Sequence, residues 1–346
     1  MRLIGNKTQL LHHIKEVVDR HAPDAHSFCD IFSGSASVAR FFKQWYEVYS
    51  NDLLYFSYCL QRATIENPEK PAFQALFQGA GIQDPVSYLN DLPTESMETL
   101  PPEQRFFQNN YAPAGGRMYL TDANALRIDF ARNTIEAWNR AGLLCPDEYY
   151  YLVAGVIEGI PFVSNIAGTY GAFNKTWDRR SGKRFALIGL PVIHNGLHNK
   201  SYNEDGASLL RRISGDVLYM DPPYNERQYL PNYHVLETAA KYDFPALRGV
   251  TGQRPYEHQR SGFCSRKTAI GAFDAILENA RFHHLILSYN TDGIMTLDEI
   301  EAIMKKHGIA STFEINYIPY RRFKSKRTAT RTGELRELLV YIQKEV

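Results

Sequence analysis

Asp221 is followed at once by Pro222, Pro223 and Tyr224, and preceded by the apolar run Val217 to Met220. The run suits a short buried parallel strand. Each proline fixes its own φ and has no N–H to donate, so the strand has to end at Asp221. Pro223 also restricts the residue before it, which stiffens the loop. A carboxylate acceptor and an aromatic ring are thus presented together at the carboxyl end of a strand, where open α/β sheets bind ligands. Taken alone, the tetrapeptide reads equally well as a strand exit with a proline turn.

A second stretch, Phe28 to Ala39, runs from an apolar strand end through Asp30 into Ser33-Gly34-Ser35-Ala36, then into a helix reaching about Tyr46. Small residues there let a ligand approach the backbone and the helix amino end, as in a nucleotide-binding first βα turn. The stretch has neither a G-x-G-x-x-G pattern nor a P-loop lysine, which argues against a bound polyphosphate. Asp52 lies twenty-two residues after Asp30 and follows the strand-like Tyr46 to Tyr49. That is where an acidic residue commonly holds a ribose hydroxyl pair, although a helix-capping aspartate fits as well.

Basic residues gather twice. Arg179, Arg180, Lys183 and Arg184 follow the glycine-punctuated turn Gly168 to Lys175, and Tyr320 to Arg331 carries six basic residues without an acid. Either group could grip phosphates or be a solvated loop.

The elements that would position these residues alternate helix and strand at both ends of the chain. A helix is expected over 7–20, with Leu10, Leu11, Ile14, Val17 and Val18 at helical spacing. After a short helix ending near Ile213 come the strand 217–220, helix 232–242, a polar loop 249–268 and helix 269–280. Strand 284–289 is next, then a helix capped by Thr296 and ended by Gly308. Strands 312–318 and 334–343 are joined by too short a loop to run parallel, so they are expected to be antiparallel. Residues 64–200 break this pattern, with a Pro-, Gly- and Asn-rich part followed by helices at 127–142 and 147–160. Their aromatic content argues for an insertion rather than a disordered linker.

The totals narrow the class. The chain has 346 residues, 44% hydrophobic and 22% charged, as expected of a globular protein with a substantial core. A net charge of +1 confines any polyanion-binding surface to local patches. Four scattered cysteines without ligand spacing fit reduced thiols in a cytoplasm and argue against a metal site. No apolar run is long enough to span a membrane, and the amino terminus lacks the pattern of a secretory signal.

Three stretches in this order resemble the alpha group of the DNA adenine-N6 methyltransferases, which use S-adenosylmethionine. Arg2 to Lys7 resembles its amino-terminal G-x-K motif, Asp30 to Ala36 its cofactor motif, and Asp221-Pro222-Pro223-Tyr224 its catalytic motif. Gly168 to Lys175, which contains Tyr170-Gly171-Ala172-Phe173-Asn174, resembles the glycine/Phe-Asn segment that precedes the catalytic motif in that group. One departure is Ala36, where the family usually has a second glycine.

The resemblance implies a Rossmann-like α/β sheet of seven strands with the last hairpin antiparallel. Its catalytic domain would be residues 1–63 and 201–346, with 64–200 an inserted, mainly helical target-recognition domain. It further implies Asp221, the Pro222 carbonyl and Tyr224 as catalytic groups. Lys7, Asp30, Phe32, Gly34, Asp52 and Asp205 would border the cofactor. Asn174, Lys175, Arg179, Arg180, Arg321, Arg322, Lys324, Lys326 and Arg327 would face DNA. The implied activity is methylation of a flipped-out adenine in double-stranded DNA, without metal. A cognate restriction endonuclease is an implied partner, and the cytoplasm the implied location. Methylation of an RNA adenine or guanine amino group, or a degenerate non-catalytic binding protein, stays open at this point.

Overall fold

The computed structural model describes residues 7–319 and 336–346. Most of the G-x-K stretch and the basic residues Arg321, Arg322, Lys324, Lys326 and Arg327 therefore lie outside the described residues. Seven strands form one sheet: β1 (Ser27–Asp30), β2 (Glu47–Asn51), β3 (Lys200–Tyr202), β4 (Ser214–Met220), β5 (Arg281–Asn290), β6 (Glu314–Pro319) and β7 (Arg336–Gln343). Their order is β3-β2-β1-β4-β5-β7-β6. Neighbours from β3 through β5 are parallel, whereas β7 runs antiparallel to both β5 and β6. The expected antiparallel hairpin is present, and β7 is its reversed member.

Strand β3 has no counterpart in the sequence reading. It is three residues long with polar flanks, too short for a periodicity signal. Glu66 holds it from the side, accepting from the Ser201 N–H at 3.0 Å and from Lys200 Nζ at 3.2 Å.

Twelve α-helices are described among these residues: α1 (Leu11–His21), α2 (Ser37–Phe42), α3 (Tyr55–Gln61), α4 (Gln74–Ala80), α5 (Pro85–Asp91), α6 (Phe106–Tyr111), α7 (Asp122–Arg140), α8 (Pro146–Val163), α9 (Gly206–Leu210), α10 (Leu230–Lys241), α11 (Ala269–Asn279) and α12 (Leu297–His307). The first starts four residues later than its periodicity suggests, because Lys7 to Leu10 form a turn closed by Leu10 N–H to the Lys7 carbonyl. Thr296 caps α12 in a capping box with Glu299, as expected.

Apolar side chains of α1 and α2 cover one face of the sheet, and those of α9, α11 and α12 cover the other. A third cluster joins α3 and α10 to α4, α6, α7 and α8. Residues 185–190 lie across α8 so closely that a Cβ on Gly159 would stand 2.2 Å from the Ala186 carbonyl oxygen. Among the described residues no helix is long and apolar enough to cross a membrane.

The pairing of Asp30 with Tyr219 brings the carboxyl ends of β1 and β4 side by side. From β1 the chain proceeds outward to β2 and β3, then returns to β4 on the opposite side. A crevice opens at such a switch in strand order.

Candidate active site

A cavity of about 370 Å³ lies at this switch, within the range of roughly 300–1,000 Å³ common for small-molecule sites. Lys7, Asp30, Phe32, Gly34, Asp52, Asp205 and Asp221 all line it. The turn after β1 forms its floor. Gly34 has φ +51, and an added Cβ there would meet nothing within 4 Å, so the backbone faces open space. Ala36 is also left-handed, at φ 59, and fully buried. A non-glycine residue in this region is strained by about 1–2 kcal/mol. Its buried methyl, worth about 0.8 kcal/mol, offsets part of that. Ala36→Gly should therefore change unfolding free energy by less than about 1 kcal/mol. Ala36→Val adds bulk and β-branching at a positive φ, and should cost about 2–5 kcal/mol in a urea melt.

Asp52 ties the floor to the end of β2. One of its oxygens accepts the Gly34 N–H and the other the Leu54 N–H, both at 2.8 Å. Burial raises its pKa to about 6, against the opposing effect of those two N–H groups. Asp30 is less well served. Its Oδ2 accepts from the Ser33 hydroxyl at 3.1 Å and the Ala39 N–H at 3.2 Å, while Oδ1 has no hydrogen-bond partner among the described residues. Burial, with the nearby charges of Asp221 and Asp52, pushes its pKa up to about 8 despite the bonds from Ser33 and Ala39. Asp205 caps α9, accepting the Ser208 N–H and hydroxyl at 3.0 Å, and its exposed carboxylate stands at the rim.

Asp221 follows the last residue of β4. Lys7 Nζ lies 3.3 Å from its Oδ1 and 3.0 Å from Glu337 Oε2 on β7. Burial and Glu337 raise the Asp221 pKa, Lys7 lowers it, and the result is about 6. Burial by itself would lower the Lys7 pKa, but the two carboxylates hold it above the ordinary lysine value. The loop after Asp221 is anchored by the Ile294 N–H, which donates to the Tyr224 carbonyl at 3.0 Å.

The sequence reading overlooked several groups. Asn51 donates from its side chain to the Ile31 and Glu204 carbonyls and accepts the Glu204 N–H, fixing two segments of the wall. Tyr229 and Tyr233 line the cavity from the start of α10. Gln228 and Ser261 bond each other at 2.8 and 3.1 Å, bringing the polar loop 249–268 to the cavity, where Phe263 meets Phe32 edge-on. The clue available for Asn51 was its place at the end of a strand, and for Gln228, Tyr229 and Tyr233 that they follow the proline motif, whereas Ser261 and Phe263 carried none.

The basic cluster divides. Arg180 is bound to Asp178 and to the Ile166 carbonyl, and Arg184 to the Asn90 and Leu92 carbonyls. Asn174 bonds Asn165 within its own loop. Lys175 and Arg179 are exposed, as is Trp177 between them.

The chain is 45% identical to the Type II methyltransferase M.FokI of Planomicrobium okeanokoites, an alignment covering all of this chain and 53% of that protein. It is 41% identical to the modification methylase StsI of Streptococcus sanguinis, again over the whole chain and 52% of the relative. It thus spans about half the length of these two relatives. Against the Type II methyltransferase M.NlaIII of Neisseria lactamica identity is 32%, over 99% of this chain and 98% of that one. The family model that describes the D12 class matches residues 3–303, a span that includes the floor turn, Lys7 and Asp221. The sheet order, the cavity at its switch point and these matches agree: the chain belongs to the D12 class of N6 adenine-specific DNA methyltransferases.

Proposed function

We propose that this chain methylates the exocyclic N6 amine of adenine at a specific site in double-stranded DNA, with S-adenosylmethionine as donor. One observation carries the reading: the acceptor carboxylate Asp221 and the nucleotide-type turn of Asp30 and Asp52 open into one cavity.

The donor fits the residues present. The buried Asp30 Oδ1, without a hydrogen-bond partner among the described residues, calls for a cationic partner, which the methionine ammonium would provide. Asp52 retains lone pairs for the ribose hydroxyls. Lys7, Phe32, Gly34 and Asp205 border the same space. When bound, S-adenosylmethionine supplies an electrophilic methyl group on a sulfonium.

The adenine amine is a poor nucleophile because its lone pair is delocalised into the ring. Asp221 and the Pro222 carbonyl would each accept one amine N–H and draw the nitrogen toward tetrahedral geometry. Positive charge developing on nitrogen is then met by Asp221, and a carboxylate with a pKa near 6 can relay the amine proton to solvent. The target base has to leave the duplex, which costs a few kcal/mol. Stacking on Tyr224, worth about 1–3 kcal/mol, offsets part of this. Tyr229 and Tyr233 line the cavity itself, whereas Pro222 and Tyr224 are not among its lining residues and Tyr224 packs against the apolar cluster of α9, α11 and α12, so its ring would have to meet the base beyond the cavity mouth.

Residues 64–200 are proposed as the target-recognition unit of a catalytic domain made of 1–63 and 201–346. Lys175 and Arg179 are exposed and would meet phosphates directly, whereas Arg180 would first have to leave Asp178. The run containing Arg321, Arg322, Lys324, Lys326 and Arg327 is proposed as a further phosphate grip. A cytoplasmic location and a restriction endonuclease of the same specificity accord with a modification role.

Expression in a host without adenine methylation, followed by sequencing of DNA and RNA, tests the reading. Modified adenine at one short DNA motif is expected. Modification confined to RNA, or none in either, would overturn it.

A further inference from the structure

Strand β7 is reversed, so its first residues rather than its last stand at the ligand-binding edge of the sheet. Pairing of Asn290 with Glu337 puts this acid at the carboxyl end of β5, three residues beyond the level of Met220, the last residue of β4. Glu337 and Lys7 are both buried, and Lys7 Nζ contacts Glu337 Oε2 and Asp221 Oδ1. One ammonium thus serves two carboxylates. Lys7 could be satisfied by Asp221 alone, and a second buried acid near it is costly as a purely structural choice. The surplus negative charge lies where positive charge would develop on a target amine.

We propose that Glu337 is a positioning residue for Asp221, acting through Lys7. It holds the ammonium back from Asp221, so Lys7 favours the ionised carboxylate without fully neutralising it, and Asp221 keeps its strength as an acceptor for the amine. The inference rests on the reading that Asp221 accepts the target amine.

The groups facing Asp221 are Lys7 from the turn before α1, Glu337 from β7, Asp30 from β1, Tyr219 on its own strand and Tyr229 before α10. With cofactor saturating, the proposed contact of the methionine ammonium with Asp30 would keep that carboxylate ionised, and the tyrosines are held protonated by burial. The acid limb of the single-turnover rate then reports Asp221, and the signs of two variants oppose each other. Glu337→Gln removes a repelling charge and lets Lys7 close on Asp221. The limb should move to lower pH by roughly one unit while the plateau rate falls about tenfold. Lys7→Met removes the attracting charge, so the limb should move to higher pH by about 1–3 units.

The experiment is the pH profile of single-turnover adenine methylation by the full chain, wild type and both variants. DNA and S-adenosylmethionine affinities are measured alongside and are expected to stay near wild type for Glu337→Gln. If Lys7→Met fails to fold, Lys7→Arg serves: its limb should stay put while its plateau falls. A Glu337→Gln enzyme with wild-type limb and plateau, changed only in melting temperature, would make Glu337 a structural ion partner and overturn the inference. A wild-type chain that does not methylate adenine would instead overturn the functional reading beneath it.

Discussion

Replacing Asp221 by alanine is expected to slow adenine methylation about 100- to 1,000-fold while DNA and S-adenosylmethionine still bind. The size follows from the charge that Asp221 meets. An interaction strengthened only as positive charge grows on the amine acts on the transition state, not on binding. Removing one preorganised group of this kind costs about 3–4 kcal/mol, which gives that range in rate. The structure also indicates that the variant should fold. Lys7 keeps Glu337 at 3.0 Å, so the deletion does not strand the buried ammonium. Substrate pre-steady-state binding and single-turnover rates check both halves. Near-normal methylation by Asp221→Ala would reduce the tetrapeptide to a strand exit.

Asp221 was legible because two prolines stop a strand at it, and covalent geometry alone fixes that. The floor turn was legible for a similar reason: small residues next to an acid leave few other uses. The terminal hairpin followed from loop length. What escaped was whatever depends on partners distant in sequence. Glu337 is 330 residues from Lys7, and in the sequence it is one more acid at the start of a strand. Its meaning arises only from the reversal of β7. Strand β3 escaped because three residues carry no period, and its pairing relies on β2 and the Glu66 side chain. Arg180 read as a phosphate contact because spacing cannot show that Asp178 sits across its guanidinium. The strain at Ala36 was foreseeable only as a conditional, since φ is set by how α2 leaves the sheet.

Cofactor affinity is expected to rise about tenfold per pH unit between pH 6 and pH 7 and to level off near pH 8. The cause is Asp30, buried with one oxygen that has no hydrogen-bond partner among the described residues and a pKa pushed up to about 8. Without ligand, the folded state keeps a proton there that the unfolded state has released above about pH 4, so this group costs stability as pH rises from about 4 to 8. A methionine ammonium beside Oδ1 favours the ionised form and lowers the pKa. Below pH 8, binding must therefore expel close to one proton, which sets the slope. Above about pH 8 the ligand's own amine begins to lose its charge, so affinity should fall again. Calorimetry in two buffers of different ionisation enthalpy counts the released proton directly. S-adenosylhomocysteine, which keeps the ammonium but lacks the sulfonium, should show the same slope. Asp30→Asn retains an acceptor for Ser33 and Ala39 but cannot ionise. It should bind more weakly by about 1.5–3 kcal/mol at pH 8, roughly 10- to 150-fold, with no proton released at any pH. A wild-type affinity that is flat from pH 6 to 8 would place the ammonium elsewhere and leave Asp30 as an acid sealed beneath the turn.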